Sequence, residues 1–450
     1  MNYKHVYFIG IGGIGMSAIA RYFHRKGTAV SGYDHTPSPL TGELESEGIP
    51  IHYDDRPDLV PDDVQGTLVV YTPAVPQELA EMQKVFAGGY KVVKRSRMLG
   101  EIARGQRCLA VAGTHGKTTT STLIAHILTE SGEGCSAFLG GISKNYGTNL
   151  LISDNPTIVA EADEFDRSFL QLFPETAVIT AMDADHLDIY GDLEHVQEAY
   201  RQFASQVSGT LIYKYGLPLN GDVTRAHMLS YSVDEQGADF HSLNLRLDDT
   251  GHYSFDLRFP GGMLCDIKVG ALGRVNVENS IAAAAVCLCY GIAPEAVKAA
   301  IASFEGARRR LDLHVSKPGL TYIDDYAHHP AEIAAALRSI RGIFPHRKIT
   351  AVFQPHLYTR TRDFAPEFAA ALSTADEVVL LDIYPARELP IEGVTSELIY
   401  KDLDCPRKVM LHKDQLIDYL AGESPDVLVT LGAGDIDRFI EPITQLLLGR

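Results

Sequence analysis

The tract from Cys108 to Thr120, Cys-Leu-Ala-Val-Ala-Gly-Thr-His-Gly-Lys-Thr-Thr-Thr, restricts the fold more than any other part of the chain. Cys108 to Ala112 carry no charge and read as a strand buried on both faces, the habit of strands in parallel sheets. Gly113 and Gly116 interrupt the run, and a helical pattern follows with apolar positions at Leu123, Ile124, Ile127 and Leu128. A strand, a glycine loop with Gly-Lys-Thr and a helix together make a phosphate cradle. Backbone N–H groups and the helix N-terminus face the anion, Lys117 reaches the terminal phosphates, and the Thr118 hydroxyl is placed to hold Mg²⁺. Thr114, His115 and Thr119 complete the loop. The usual P-loop spacing wants glycine where this chain has Val111, so the loop is a shorter variant anchored on Gly113.

The same pattern opens the chain. The apolar run Val6–Ile9 ends in Gly10-Ile11-Gly12-Gly13-Ile14-Gly15, a helical pattern runs from Met16 to Lys26, and a second strand from Ala29 ends near Asp34. This fits G-x-G-x-x-G with an acidic residue about 20 positions on, a second pyrophosphate cradle. NAD, FAD and a nucleotide sugar all carry a pyrophosphate, and the motif alone does not separate them.

With 450 residues the chain has room for about three domains. Strands alternate with helical segments throughout, which predicts α/β blocks with parallel sheets. Three are expected: residues 1–105, residues 106–309 and residues 310–450. The polar stretch Arg104-Gly105-Gln106-Arg107 marks the first boundary, and Arg308-Arg309-Arg310 the second. Within the middle block residues 238–270 alternate apolar and polar positions, as an antiparallel meander at a sheet edge would, which makes that sheet mixed.

Two middle-block strands run into charge: Thr157–Ala160 into Glu161-Ala162-Asp163-Glu164, and Ala177–Thr180 into Asp183-Ala184-Asp185-His186. Ligands of open parallel sheets sit beyond the carboxyl ends of the strands, so both clusters converge on the phosphate loop. Carboxylates beside a triphosphate repel it unless a divalent cation lies between, which implies Mg²⁺. The third block adds Asp324-Asp325-Tyr326-Ala327-His328-His329-Pro330 and Gln354-Pro355-His356-Leu357-Tyr358-Thr359-Arg360-Thr361-Arg362, each following a strand. Their histidines, tyrosines and cations suit carboxylate and phosphate oxygens.

Composition closes several other routes. The formal net charge of −18 opposes non-specific nucleic-acid binding, which needs clustered positive charge. The six cysteines are scattered without a CxxC pair, so neither a disulfide framework nor a zinc site is expected. There is no signal-peptide pattern at the start, and the longest apolar stretch, Ile281–Ala293, is too short to span a bilayer. A cytoplasmic protein without membrane insertion is the expectation, with oligomeric state left open.

A chain that holds a nucleotide in one cradle and a metal-bound triphosphate in another suits activation of one bound substrate by ATP for attack by a second. Amide formation through an acyl phosphate is such a reaction. The residues resemble the Mur ligases of peptidoglycan synthesis: Gly10-Ile-Gly-Gly-Ile-Gly-Met-Ser, Gly113-Thr-His-Gly-Lys-Thr-Thr-Thr, Glu161-Ala-Asp-Glu, Asp185-His186-Leu-Asp, Asp325-Tyr-Ala-His-His-Pro and Phe353-Gln-Pro-His occur in family order. The resemblance implies a UDP-binding Rossmann-like domain, a central P-loop ATPase-like domain and a C-terminal Rossmann-like domain. It implies ATP-dependent joining of L-alanine to UDP-N-acetylmuramate, with Mg²⁺ or Mn²⁺ as cofactor. It also implies roles. Lys117, Glu161 and His186 are catalytic, and Thr118, Glu161 and His186 hold the metal. Asn276, Asn279 and Arg310 join the phosphate loop in binding ATP. Gly12, Gly13, Ile14, Gly15, Asp34 and Arg95 bind the UDP-sugar, and Tyr326, His328 and Arg360 line the amino-acid side.

Two departures from the family pattern bear on the substrate. Later ligases of the family carry a carbamylated lysine about 15 residues after the metal histidine; here that stretch offers Arg201, and the next lysine is Lys214. The absence favours the alanine-adding branch. Against that, Leu357 stands where many alanine-adding members have arginine, which moves weight to Arg360 and Arg362. The rival within the family attaches a ready-made tripeptide to the same UDP-sugar. Outside it, an NAD-dependent dehydrogenase explains only the first glycine turn, and a nucleotide-gated binding module explains the cradles without turnover.

Overall fold

The computed structural model describes residues 3–184, 187–248, 250–386 and 388–449. Strands β1 (His5–Ile9), β2 (Ala29–Tyr33), β3 (Ile51–His52), β4 (Thr67–Tyr71) and β5 (Lys91–Lys94) form a parallel sheet in the order β3-β2-β1-β4-β5. Val6 to Ile9 have no exposed surface, as the uninterrupted apolar run required. The chain leaves β1 to one side for β2 and β3 and returns on the other for β4. The carboxyl end of β1 is thus a topological switch point, where a ligand crevice opens.

The second sheet contains β6 (Arg107–Ala112), β7 (Ser136–Phe138), β8 (Leu150–Leu151), β9 (Thr157–Ala162), β10 (Thr176–Ile179), β11 (Thr210–Lys214), β12 (His227–Ser232), β13 (Phe240–Leu247), β14 (Tyr253–Phe259) and β15 (Gly262–Lys268). Its order is β15-β14-β13-β12-β11-β10-β6-β9-β7-β8. β6 lies between β9 and β10 and is parallel to both, with Ala112 opposite Ala162 on one side and Ile179 on the other. The phosphate loop and the ends of both acidic strands therefore share one edge. β7 and β8 are antiparallel, so the sheet is mixed. β9 continues two residues past Ala160, which puts Glu161 inside the strand, opposite Val111.

The third sheet, β16 (Asp312–Lys317), β17 (Leu320–Asp325), β18 (Ile349–Phe353), β19 (Glu377–Leu381), β20 (Arg407–Leu411) and β21 (Val427–Leu431), runs in the order β16-β17-β21-β18-β19-β20. Only β16 is antiparallel to its neighbour there.

Three sheets pack as two compact units. Met1–Leu245, Phe255–Gly270 and Val277–Ala307 make one; Arg246–Ser254, Ala271–Asn276 and Arg308–Arg450 make the other. In the first unit a single apolar core includes Phe8 and Ile19 from the N-terminal sheet and its helix together with Phe138, Leu150 and Phe169 from the second block. In the second unit, cores cover both faces of the sheet, one around Phe353 and Phe368 and one around Leu416 and Leu428. The six cysteines are unpaired. Among the described residues no helix is long and apolar enough to cross a membrane.

Candidate active site

The glycine turn after β1 leads into the helix Ile14–Arg25, whose N-cap, Gly13, has no side chain to offer. The positive end of the helix is therefore open to an anion. Gly10 takes φ +86°, and a Cβ there would lie 2.7 Å from Thr72 Cγ2. Asp34 is aimed at the turn itself: its Oδ2 accepts the Gly12 N–H at 2.7 Å. Gly13 N–H bonds Gly10 O at 3.4 Å. Of the four N–H groups expected to face a pyrophosphate, those of Gly12 and Gly13 thus have partners inside the chain. Ile14 and Gly15 occupy the first helical turn, where N–H groups lack intrahelical acceptors.

The phosphate loop is held by β10. The Thr180 hydroxyl donates to Ala112 O at 3.2 Å and also to His115 O. Gly113 has φ +136°, and a Cβ would come within 2.0 Å of Thr180 Oγ1 and 2.8 Å of the Ala181 backbone nitrogen, so only glycine fits. Thr114 Oγ1 accepts the Asp183 N–H at 3.3 Å, and His115 Nε2 lies 3.4 Å from the Asp183 carboxylate. Gly116 (φ +79°) is the N-cap of the helix Lys117–Glu130, which buries Thr118 and Thr119 in its first turn. A Cβ on Gly116 would meet Asn279 Oδ1 at 2.8 Å, and that oxygen accepts from Thr120 Oγ1 at 3.2 Å. Asn279 is thus packed on the loop. Asn276 belongs to the other compact unit, where its Nδ2 donates to Leu272 O at 2.7 Å.

Lys117 Nζ donates to Gly113 O at 2.7 Å and to Glu164 Oε1 at 2.8 Å. Burial opposes its charge, yet the carboxylates of Glu164, Glu161 and Asp163 hold its pKa above the ordinary lysine value. Glu164 is only 2% exposed, and burial raises its pKa although Lys117 pulls the other way. Glu161 Oε2 accepts the Gly140 N–H at 3.1 Å, and a Cβ on Gly141 would lie 2.9 Å from Thr118 Cγ2. The strip Gly140–Gly141 therefore touches both expected metal ligands that the structure describes. His186 and Asp185 lie outside the described residues. Among the described residues no three His, Cys, Asp or Glu side chains cluster for a metal. A hydroxyl and a carboxylate beside a phosphate cradle nevertheless fit Mg²⁺, which keeps waters and takes phosphate oxygens.

One cavity of about 250 Å³ in the first unit joins the glycine turn to the end of β9: Gly13, Ile14 and Gly15 line it together with Arg95, Gly140, Glu161 and Asp163. Arg95 Nη2 donates to Asp163 Oδ2 at 3.0 Å.

In the second unit, Arg309 Nε donates to buried Asp324 at 3.0 Å, and its carbonyl accepts the Tyr326 N–H at 2.8 Å. The Arg309 and Arg310 guanidinium carbons lie 5.2 and 5.4 Å from the Tyr326 ring centre. The His328 ring sits edge-on to Tyr326 at 5.2 Å and to His356 at 5.9 Å. Burial lowers the His328 pKa; Glu332 opposes this, and the Arg360 and Arg310 charges add to it. Arg310, Tyr326, His328 and Arg360 thus form one neighbourhood. Leu357, at φ +72°, precedes the helix Tyr358–Leu372 that carries Arg360.

Comparison with known proteins decides the family. Residues 5–107 match the Mur ligase family catalytic domain, 111–287 the Mur ligase middle domain, and 309–434 the Mur ligase glutamate ligase domain. The chain belongs to the Mur ligase family. It is 50% identical to UDP-N-acetylmuramate–L-alanine ligase of Porphyromonas gingivalis over 99% of both chains. A crystal structure of UDP-N-acetylmuramate–alanine ligase from Thermotoga maritima superposes with a TM-score of 0.83 at 27% identity, covering 98% of this chain and 99% of that one. A murein peptide ligase from Psychrobacter arcticus shares the fold, with a TM-score of 0.73 at 21% identity over 99% and 98% of the two chains.

The sequence marks the two glycine loops by their residues and gives no sign of what braces them. Glu164 was visible only as one member of an acidic cluster, and its pairing with Lys117 follows from the turn after β9. Asp163 gave no sign that it would meet Arg95, 68 positions away. Asn149 and Arg21, joined at 2.6 Å, carried no motif at all. Arg201 pairs with Glu198 at 2.9 Å and Lys214 with Glu278 at 2.6 Å.

Proposed function

We propose that this Mur ligase joins L-alanine to the lactoyl carboxylate of UDP-N-acetylmuramate, converting ATP to ADP and phosphate, as a cytoplasmic step of peptidoglycan synthesis. The observation that carries the proposal is the shared cavity, in which the glycine turn and the Glu161 carboxylate line one space. Near-50% identity over the full length to curated alanine ligases supports alanine as the amine. The peptide-adding rival is supported only by likeness of fold.

In this reading the pyrophosphate of the UDP-sugar rests on the N-terminus of Ile14–Arg25, Asp34 braces the turn near the ribose, and Arg95 exchanges Asp163 for the sugar. ATP lies on Gly113–Thr119, with Asn279 against the loop. Lys117 leaves Glu164 for the γ-phosphate. The lactoyl carboxylate attacks the γ-phosphorus, the bond to ADP breaks, and an acyl phosphate forms. The alanine amine then attacks the acyl carbon, and phosphate leaves. His328, kept neutral by burial, is suited to take the proton the ammonium must lose, while Tyr326 and Arg360 orient the amino acid. Thr118, Glu161 and His186 would hold Mg²⁺, which neutralises phosphate charge when bound. We take residues 1–105, 106–309 and 310–450 as the functional division.

Phosphate release with UDP-N-acetylmuramate, ATP and a panel of L-alanine, glycine, L-serine and L-Ala-γ-D-Glu-meso-diaminopimelate tests this. L-Alanine is expected to give the highest kcat/KM, with the UDP-muramoyl-alanine product seen by mass spectrometry. Turnover with the tripeptide and none with L-alanine would overturn it.

A further inference from the structure

Asn149, immediately before β8, has no exposed surface. Its Nδ2 donates to Ile14 O at 2.6 Å and to Ser17 Oγ at 2.9 Å, and its Oδ1 accepts from Arg21 Nη1 at 2.6 Å. These partners occupy one face of the helix that carries the glycine turn, and Ile14 also lines the cavity. Arg21, itself 2% exposed, is held by Glu47 at 2.7 Å and Glu43 at 3.0 Å. On its other side, the Asn149 backbone carbonyl accepts the Leu139 N–H at 3.0 Å. The next N–H, that of Gly140, bonds Glu161 at 3.1 Å. A continuous path of hydrogen bonds, through Asn149 itself and the Leu139–Gly140 peptide link, therefore runs from the helix behind the glycine turn to the carboxylate expected at the metal.

The residue type matters. At this position the side chain must give two hydrogen bonds and take one. Asparagine does both, aspartate would face Ile14 O with an acceptor, and an apolar side chain would strand buried polar groups. Asn149 does not itself line the cavity and reaches it only through Ile14, whose carbonyl it bonds.

We infer that Asn149 is a positioning residue for the ligation: it fixes the register of the glycine turn, and with it the UDP-sugar, against Glu161 and the phosphate it faces. This rests on the assignment of the UDP-sugar and ATP to the two cradles. Misplacement by about 1 Å from a site remote from the chemistry can cost on the order of a hundredfold in rate. The effect belongs in kcat, because each cradle remains intact on its own.

The test compares wild type with Asn149→Asp, which keeps a partner for Arg21. Steady-state kinetics are read beside calorimetric affinities for UDP-N-acetylmuramate alone and for a non-hydrolysable ATP analogue alone. The expected result is a kcat at least tenfold lower, with both affinities within about threefold and the urea midpoint near that of wild type. An unchanged kcat in folded protein overturns the inference, and so does a kcat loss matched by loss of UDP-sugar affinity. If Asn149→Asp does not fold, Ser17→Ala removes one hydroxyl from the same clasp; a kcat within twofold of wild type there overturns it too. Failure of wild type to turn over with UDP-N-acetylmuramate and L-alanine would instead overturn the functional assignment.

Discussion

Arg95 Nη2 donates to Asp163 Oδ2 across 3.0 Å, joining the helix after β5 to the segment after β9. The pair is partly open to solvent, with side-chain exposures of 22% and 34%, so it adds at most about 1 kcal/mol to stability. Its position on the cavity wall gives it a different use: an incoming anionic sugar nucleotide competes with Asp163 for the guanidinium. Arg95→Ala is expected to raise the KM for UDP-N-acetylmuramate by roughly 10- to 100-fold, the worth of a hydrogen bond to charge. The urea midpoint should barely move. Initial-rate kinetics with the sugar nucleotide varied check this; an unchanged KM would place the sugar elsewhere.

Lys117 gives a contrasting case. Its ammonium and the Glu164 carboxylate are both withdrawn from solvent, 15% and 2% exposed. Lys117→Ala is expected to abolish turnover while UDP-sugar affinity, measured by calorimetry, stays within a few-fold of wild type, because the glycine turn is untouched. It also strands Glu164, and breaking a buried pair costs about 3–5 kcal/mol. Lys117→Ala with Glu164→Gln should recover much of that stability and none of the activity. Equal loss of sugar-nucleotide binding in the single variant would contradict the assignment of separate cradles.

The contrast shows what was legible in the sequence. Strands buried on both faces announce themselves as apolar runs, and glycines with Lys-Thr mark a phosphate loop, because local backbone geometry demands those residues. Hence β1, β6, β9 and β10 and both glycine loops were readable, and Glu161 was expected near the phosphate loop because both follow strands of one parallel sheet. Pairings set by tertiary packing were not readable. Arg21 looks like any helix-surface cation until Asn149 and two glutamates enclose it, and nothing in the sequence shows that Asp34 also accepts the Gly12 N–H. The division into two compact units also has no local signature, since it arises where the core of the first sheet merges with that of the second.

Asp325 links pH to stability. It is buried, and burial raises its pKa to about 6; the Arg310 charge and the N–H groups of Leu311 and Ala327 pull downward without cancelling this. In the unfolded chain the carboxyl titrates near 4. Between these values the folded form holds the proton more tightly, so the group's stabilising contribution is complete below about pH 4 and is lost as pH rises through 6. The loss is on the order of 1–3 kcal/mol. Asp325→Asn removes this dependence. Urea midpoints at pH 4.5 and 7 should show wild type losing stability relative to the variant at the higher pH; a pH-independent difference would refute it.

Two glycines separate what the fold requires from what the ligands require. A Cβ on Gly140 would stand 2.2 Å from Glu161 Oε2 and 2.5 Å from its Cδ, atoms at the free end of a flexible side chain. Gly140→Ala should therefore fold and yield by pushing the carboxylate aside by about 1 Å, enough to cost on the order of a hundredfold in kcat. More Mg²⁺ should be needed for half-maximal phosphate release. Gly13 has φ −63° and ψ 142°, ordinary for any residue, and the nearest atom to an added Cβ is 3.7 Å away. Gly13→Ala should leave stability within about 0.5 kcal/mol of wild type. Its methyl group would nevertheless stand at the helix N-terminus, so affinity for the UDP-sugar should fall while that for ATP holds. A Gly13→Ala protein that binds the sugar nucleotide normally would show that the pyrophosphate does not approach this turn, whatever the kinetics of Gly140→Ala.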